Sequence, residues 1–540
     1  MLLKLLNFVY PMRYLAFTLC VLGFVVSLWA WGDGGHVAPV LVLGYLAGTG
    51  VHDLLQTKRS ILRNYPVIGH LRFMLEFIRP EIRQYFIESD TEAAPFSRAQ
   101  RSLVYQRAKG DSDKHPFGSQ MNAYAKGHEW MTHSVAPSTV AGHDFRITIG
   151  PDAAQPYSAS VFNISAMSFG ALSANAIQAL NAGAQRGGFA HDTGEGSISV
   201  HHRKHGGDLI WELGSGYFGC RNDDGSFNAD KFQANACDPQ VKLIEIKLSQ
   251  GAKPGHGGVL PGPKVTAEIA HARGVPVGVD CVSPASHSAF GTPLELMHFI
   301  ARLRELSGGK PTGFKLCVGH PWEWFAMVKA MLETGITPDF IVVDGTEGGT
   351  GAAPLEFIDH MGTPLQEGLI LVHNTLRGAG LRERVKIGCA GKVINAFDIA
   401  RLMALGADWC NSARGFMFAL GCLQAQTCHT GNCPTGVATQ DKVRQQALVV
   451  SDKSERVYHF HQQTLHALKE LVQAAGVRHP CEITAHHIVR RTDDHAVASL
   501  AQALLQEVPV GSLLADDLRP LPELYQRHWA HSRAQSFSLP

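Results

Sequence analysis

From Val161 onward, short apolar runs alternate with amphipathic stretches, a pattern that predicts strands and helices in turn. The runs are Val161–Met167, Leu243–Leu248, Val275–Cys281, Gly313–Val318, Asp339–Asp344, Val385–Cys389 and Ala407–Ser412, with a further strand near Gly188–His191. Helical periodicity lies between them at Ser173–Arg186, Lys264–Arg273, Pro293–Leu306, Trp322–Thr334 and Ile394–Leu405. Strand-then-helix repeated about eight times predicts an α/β fold, a parallel sheet closed into a (β/α)8 barrel of the TIM type over residues 156–450. An open doubly wound sheet is the competing arrangement, and no glycine fingerprint with a ribose-binding acid favours it. Residues 56–155 are polar with weak periodicity and read as a helical and irregular lead-in. A helix over residues 454–476 opens a helical tail that spans 451–540.

The amino terminus breaks this pattern. Tyr14 to Trp31 is an eighteen-residue stretch without a charge, close to the span of a bilayer core. A second apolar run, Val37 to Val51, follows the link Gly32-Asp33-Gly34-Gly35. Lys4 and Arg13 precede the pair, Lys58, Arg59, Arg63 and Arg72 follow it, and the link carries no positive charge. The positive-inside rule then places both flanks in the cytoplasm. Residues 1–55 are expected to be a transmembrane hairpin, with the catalytic part on the cytoplasmic side of a bacterial inner membrane. A cleaved signal peptide fits poorly, because Trp29-Ala30-Trp31-Gly32 lacks a small-residue cleavage site.

Composition removes several classes. Lys+Arg (48) balances Asp+Glu (47), so no overall field recruits nucleic acid. With 45% hydrophobic residues and no low-complexity tract, a disordered or fibrous chain is excluded. Eleven cysteines in 540 residues are not a disulfide scaffold; three of them cluster, which points to a reducing compartment with one dedicated metal site.

That cluster is Cys422-Leu-Gln-Ala-Gln-Thr-Cys428-His-Thr-Gly-Asn-Cys433-Pro434. Thiolates suit soft iron–sulfur centres, and small residues between them let a loop wrap a compact core. Three ligands favour a three-iron cluster; a four-iron cluster with one foreign ligand stays open. A zinc site with His429 as fourth ligand is the alternative, although the short Cys-x-x-Cys knuckle is absent. A second signal is Asp344-Gly-Thr-Glu347-Gly348-Gly349-Thr350-Gly351-Ala352, directly after an apolar run, where successive glycines expose N–H groups to an anion or a flat ring. Ala390-Gly391-Lys392 and Ser412-Ala413-Arg414-Gly415 follow the last two strands, where barrels commonly hold a phosphate. FMN satisfies both observations, with Lys315 as a candidate cation under the flavin N1–O2 edge. The loop Ile246-Lys-Leu-Ser-Gln250-Gly-Ala-Lys253-Pro-Gly-His256-Gly-Gly-Val-Leu-Pro-Gly262 crosses the barrel mouth, and Lys253 and Arg273 are candidate partners for substrate carboxylates.

Ser165-Ala-Met-Ser-Phe-Gly-Ala-Leu-Ser-Ala-Asn175, Thr193-Gly-Glu195-Gly, the Ser249-to-Gly255 loop, Asp344 to Ala352, Gly380 to Val385 and Cys433-Pro-Thr-Gly-Val-Ala-Thr-Gln440 occur in one order. Over roughly residues 160–445 this order resembles the FMN-binding domain of glutamate synthase. The resemblance implies FMN, a [3Fe-4S] cluster on Cys422, Cys428 and Cys433, and reductive conversion of 2-oxoglutarate and ammonia, through 2-iminoglutarate, to L-glutamate. It assigns Lys253 and Arg273 to 2-oxoglutarate and Glu195 to the site lining. Flavin contacts fall at Met167, Ser168, Gln250, Lys315, Gly348, Gly349, Gly391 and Arg414, with Thr350 and Lys392 in the same segments.

Departures from the family pattern matter. Val259 stands where the family has an amide, and Tyr217 where it has arginine. No amidotransferase domain is expected before the barrel, so ammonia is expected from solution or a partner, and electrons from ferredoxin or a reductase subunit. Val259 also motivates an alternative, a related FMN oxidoreductase acting on another oxo-acid or an N-substituted glutamate. The anchor and cysteines motivate another, a membrane-linked electron-transfer module.

Overall fold

The computed structural model describes residues 11–539 and divides into two compact units, one ending at Ala93 and one beginning at Ala94. In the first unit, α1 (Leu15–Gly32) and α2 (Val37–Leu55) form an antiparallel hairpin in which Gly23 of α1 meets Leu43 of α2 and Gly44 of α2 meets Phe24 of α1. Both helices are long and apolar enough to cross a membrane by length and composition. Leu19, Leu22, Val25, Val26 and Trp29 of α1 are exposed. At the end of α2, the buried Asp53 carboxylate accepts from the Val67 N–H (3.0 Å) and pairs with His70 Nε2 (2.9 Å), which ties the helix to the turn after it.

The second unit opens with α3 (Arg98–Lys109), started by a capping box between Ser97 and Gln100 and stopped by Gly110 in the left-handed region. An antiparallel pair, Arg146–Ile149 with Tyr157–Ser160, precedes the barrel. Its Ile149, Tyr157 and Ala159 pack with Ile210, Leu243, Phe340, Val342 and Trp409.

The barrel is closed by eight parallel strands: β1 (Phe162–Ile164), β2 (His191–Asp192), β3 (Leu209–Leu213), β4 (Val241–Lys247), β5 (Thr312–Leu316), β6 (Phe340–Asp344), β7 (Lys386–Ala390) and β8 (Trp409–Ser412). Every residue of β3 and β5 is buried, as strands covered on both faces require. The helices between them carry their own start signals. Ser173 caps α4 (Ala174–Gly187), Thr292 and Glu295 box α5 (Pro293–Leu306), α6 (Pro321–Thr334) begins at a proline, Glu347 receives the first N–H of α7 (Leu365–Gly378), and Asn395 and Asp398 box α8 (Ala396–Ala404). After the barrel, α9 (Val450–Ala474) packs on α4. The carboxy-terminal segment, expected to be helical, also supplies strands Ile488–Arg491 and Val497–Ser499, which join Glu129–Met131 in a small antiparallel sheet.

One expected strand is corrected. Val275–Cys281 is not in the barrel: Pro276 interrupts the run, and Val277 and Val279 are 61% and 54% exposed. Only its end, Cys281–Val282, forms a strand, antiparallel to Val259–Leu260 within the long insertion after β4. In the barrel β4 pairs directly with β5, and the eighth strand is instead β3, earlier in the chain, whose apolar run is broken by the buried Glu212.

Packing between barrel strands predicts a cost for added volume. A Cβ at Gly388 on β7 would lie 2.4 Å from the Trp409 ring of β8. Gly388→Ala is therefore expected to lower stability by about 1–3 kcal/mol, read as a lower denaturant midpoint. An unchanged midpoint would show that Trp409 moves aside freely.

Candidate active site

At the carboxyl ends of the strands, the loops enclose a cavity of about 280 Å³. Met167 and Ser168 enter it after β1, Glu195 after β2, Gln250 and Lys253 after β4, Gly349 and Thr350 after β6, and Arg414 after β8. Arg273 reaches it from the end of helix Ala267–Arg273 in the insertion. Residues distant in sequence thus meet where barrel enzymes place their chemistry.

The polar side of the cavity is organised around Glu195. Its Oε1 lies 3.2 Å from Lys247 Nζ, and its Oε2 accepts from the Ser283 hydroxyl at 3.4 Å. Burial pushes the Glu195 carboxyl up, but Lys247, Arg273 and Lys253 outweigh burial and hold it below the usual carboxylate range. Burial, with Lys247 beside it, lowers the Lys253 ammonium, and Glu195 opposes that shift. Arg273 donates to the Phe169 carbonyl (3.1 Å), sits 5.2 Å from the Phe218 ring centroid, and leaves its buried Nε without a partner. Around Glu195 stand three cations, Lys247, Lys253 and Arg273, and with Lys264, Arg414 and Glu212 also on the lining the cavity has a net positive field suited to an anion.

Lys247 is held by a chain that starts at Tyr217. The buried His287 lies with Nδ1 3.0 Å from the Tyr217 hydroxyl and donates through Nε2 to the Lys247 carbonyl at 2.8 Å. Burial pushes His287 down to about 4, so the ring is neutral at physiological pH.

Several sequence candidates stand outside the lining. Gly348 donates to the Gly345 carbonyl (2.9 Å) and closes the turn after β6, while Gly391 and Lys392 lie beyond β7. The Lys392 ammonium sits 5.8 Å from the Phe96 ring centroid. Lys315 is buried inside the barrel, bonded to Glu212 and 3.5 Å from Glu245, and Glu212 in turn lines the cavity. Sequence reasoning missed Lys247, Glu212 and Lys264, all of which line the cavity. Lys247 was visible as a charge at the end of an apolar run, a position that reads as catalytic in a barrel.

All eleven cysteines are unpaired thiols. The segment carrying Cys422, Cys428 and Cys433 runs along the edge of the cavity, and Cys428 lines it. Lys264, also on the lining, donates to the Cys428 carbonyl at 2.7 Å and links the insertion to this segment. The Tyr105 hydroxyl donates to the Cys422 carbonyl (2.6 Å), and the Gln424 N–H points at Cys422 Sγ (3.5 Å). Burial pushes Cys422 up to about 11. Burial pushes Cys433 up as well, but hydrogen bonds from Thr435 and from the N–H groups of Ala438, Thr435 and Val437 hold it below the usual thiol range. A thiol stabilised as thiolate beside two others, in a segment pinned by its carbonyls, fits a soft metal centre.

Residues 141–478 match the conserved region in glutamate synthase. The chain is 35% identical over 525 residues to the glutamate synthase large subunit-like protein YerD of Bacillus subtilis, covering 90% of this chain and 99% of that one. It is 36% identical over 313 residues to the archaeal-type glutamate synthase (NADPH) of Thermotoga neapolitana, covering 58% of each. Among solved structures it is similar to a flavocytochrome b2 variant with pyruvate bound, at 11% identity and a TM-score of 0.40, over 77% of this chain and 85% of that one.

Proposed function

Because the chain belongs to the glutamate synthase family, we propose that its barrel is an FMN-dependent oxidoreductase that converts 2-oxoglutarate and ammonia, through 2-iminoglutarate, to L-glutamate. The observation that carries this reading is the cavity field: Lys247, Lys253 and Arg273 surround Glu195 and leave two positive charges for the two carboxylates of the oxo-acid. Arg273 lines the cavity and offers its guanidinium charge to one of them.

The opposite wall suits a flavin. Ala166, Met167, Gly349, Gly351 and Ala413 present small or backbone surface to the cavity, and a Cβ at Gly351 would meet nothing within 4 Å. Arg414, after β8, supplies a cation where barrels hold phosphate. FMN, when bound there, supplies the hydride for the imine carbon. Cys422, Cys428 and Cys433 would hold a [3Fe-4S] cluster that supplies its electrons from ferredoxin or a reductase subunit. Lys253 and Arg273 orient the carboxylates, Glu195 keeps Lys247 in place, and the insertion loops shut out water. The α1–α2 hairpin, with its exposed apolar faces, anchors the catalytic unit to the cytoplasmic side of a bacterial inner membrane.

One observation favours a variant of this reading. Val259 lines the cavity and carries no polar group to read a substrate atom, so another oxo-acid or an N-substituted glutamate is the alternative substrate.

Detergent-solubilised protein, reduced anaerobically and mixed with 2-oxoglutarate and ammonium, is expected to show flavin reoxidation and glutamate only when both are present. A flavin that stays reduced with these substrates but reoxidises with another oxo-acid would move the assignment to the alternative.

A further inference from the structure

Below the cavity, the barrel interior holds an arrangement that carboxylate binding does not use. Asp192 on β2, Glu212 on β3 and Glu245 on β4 are buried, with ligand oxygens within 4.8 Å of one another. Lys315 from β5 lies among them, bonded to Glu212 and 3.5 Å from Glu245. Its ammonium supplies the positive charge that a metal ion would bring to such a cluster. Asp344 on β6 accepts from the Gly251 N–H (2.8 Å), and Asp192 accepts from the Gly194 N–H (2.9 Å). Lys247, also on β4, faces Glu195, and Glu347 lies beyond Asp344.

Two features make this a proton device. Neither oxygen of the buried Glu245 accepts a hydrogen bond, although the Lys315 ammonium stands 3.5 Å from Oε1, and a buried ionised carboxylate without hydrogen bonds is costly. A proton shared with Asp192 supplies the missing donor. Burial, followed by the charges of Asp192 and Asp344, pushes Glu245 well above the usual carboxylate range, and burial raises Asp192 too. The second feature is the exit: Glu212 both lines the cavity and bonds Lys315.

We infer that Asp192, Glu245, Lys315 and Glu212 form a proton store and relay that delivers a proton to the imine nitrogen in the cavity. The inference rests on the reading of the cavity as the site of imine reduction. As the imine carbon takes its hydride, the C=N π bond breaks and its electron pair passes to nitrogen. Lys315 passes a proton to the Glu212 carboxylate as Glu212 hands one to that nitrogen, and Glu245 restores the Lys315 ammonium. One hydride and one proton thus convert the imine to the amine, and solvent refills the store between turnovers. Glu212 touches the substrate, whereas Glu245 and Asp192 act through it.

The store is tested without substrate. The infrared spectrum of the full-length holoprotein near neutral pH is expected to show a protonated-carboxyl band that is lost in Glu245→Gln. Absence of that band from the unmodified protein overturns the store whatever the substrate. The relay is tested by following flavin reoxidation with 2-oxoglutarate and ammonium, as a function of pH, in H2O and D2O. Glu245→Gln is expected to slow the step by about 100-fold, with oxo-acid affinity and flavin content unchanged and the pH profile displaced. Asp192→Asn, which keeps an acceptor for the Gly194 N–H, is expected to shift the profile in the same direction. Equal rates, profiles and isotope effects in both variants and the parent overturn the relay. A parent protein that shows the band but makes no glutamate overturns the functional reading and leaves the store standing.

Discussion

Replacing Lys253 by alanine is expected to lower kcat/KM for 2-oxoglutarate by about 30-fold to about 4,000-fold, the equivalent of roughly 2–5 kcal/mol for leaving a buried charge without its partner. The ammonium lines the cavity beside Lys247 and Glu195, so its loss leaves a substrate carboxylate facing one cation fewer in a poorly hydrated space. Flavin content should be unchanged, because the flavin wall is built from other strands. Lys253→Arg is expected to recover part of the loss, since it restores charge but not the compact donor. The pH dependence follows from the same surroundings. Burial and Lys247 lower the Lys253 ammonium, so it loses its proton below the ordinary lysine value of 10.5. In the free enzyme, kcat/KM should therefore fall on the alkaline side below that value. Bound carboxylate stabilises the ammonium, so kcat should hold to higher pH than kcat/KM. An alanine variant with unchanged kcat/KM would remove Lys253 from the substrate site and favour the electron-transfer reading.

The barrel was legible because its strands are buried on both faces and read as unbroken apolar runs. β6 is such a run, and α5, α6 and α8 announce themselves with Thr292, Pro321 and Asn395 at their starts. The exchange of β3 for Val275–Cys281 has one cause. Hydrophobic pattern reports burial only when the interior is apolar, and this barrel's interior carries Glu212, Glu245 and Lys315. A carboxylate bonded to an ammonium inside the barrel looks from sequence like a break in a strand, while a valine-rich run on the insertion looks like one. α7 was missed for a related reason. It follows the glycine-rich loop after β6, and its start is set by the distant Glu347 rather than by a residue at its own cap.

The site divides along the same line. Ser168, Glu195, Lys253 and Arg414, which the resemblance to the family names, sit on loops after strands and line the cavity. Lys247 and Glu212 belong to the strands themselves; Lys247 carried a signal as a charge at a strand end, whereas only closure of the barrel shows that Glu212 faces the cavity. Lys264 depends on an insertion folding back to Cys428, a contact between residues far apart in the chain. Tyr217, a departure from the family sequence, lies in contact with His287, which holds the Lys247 carbonyl; it thus joins the support of the cationic wall.

Cys433→Ser is expected to abolish bound iron and inorganic sulfide while flavin is retained. Serine keeps the volume, but its oxygen is a hard donor in a site whose other two ligands are soft. Cys433 is the position to test because, against burial, Thr435 and three backbone N–H groups hold its thiol below the usual range, a shift toward the thiolate that a metal would need. The loss should separate two kinds of turnover. Reaction driven by an external protein donor should fall to background, whereas protein reduced chemically should still convert 2-oxoglutarate and ammonium, since the flavin wall and the cationic wall are intact. Cys237→Ser, at an exposed thiol far from this segment in sequence, should change neither iron nor rate. Zinc in place of iron in the unmodified protein would select the zinc alternative with His429. Iron content unchanged in Cys422→Ser, Cys428→Ser and Cys433→Ser alike would remove the cluster from this segment altogether.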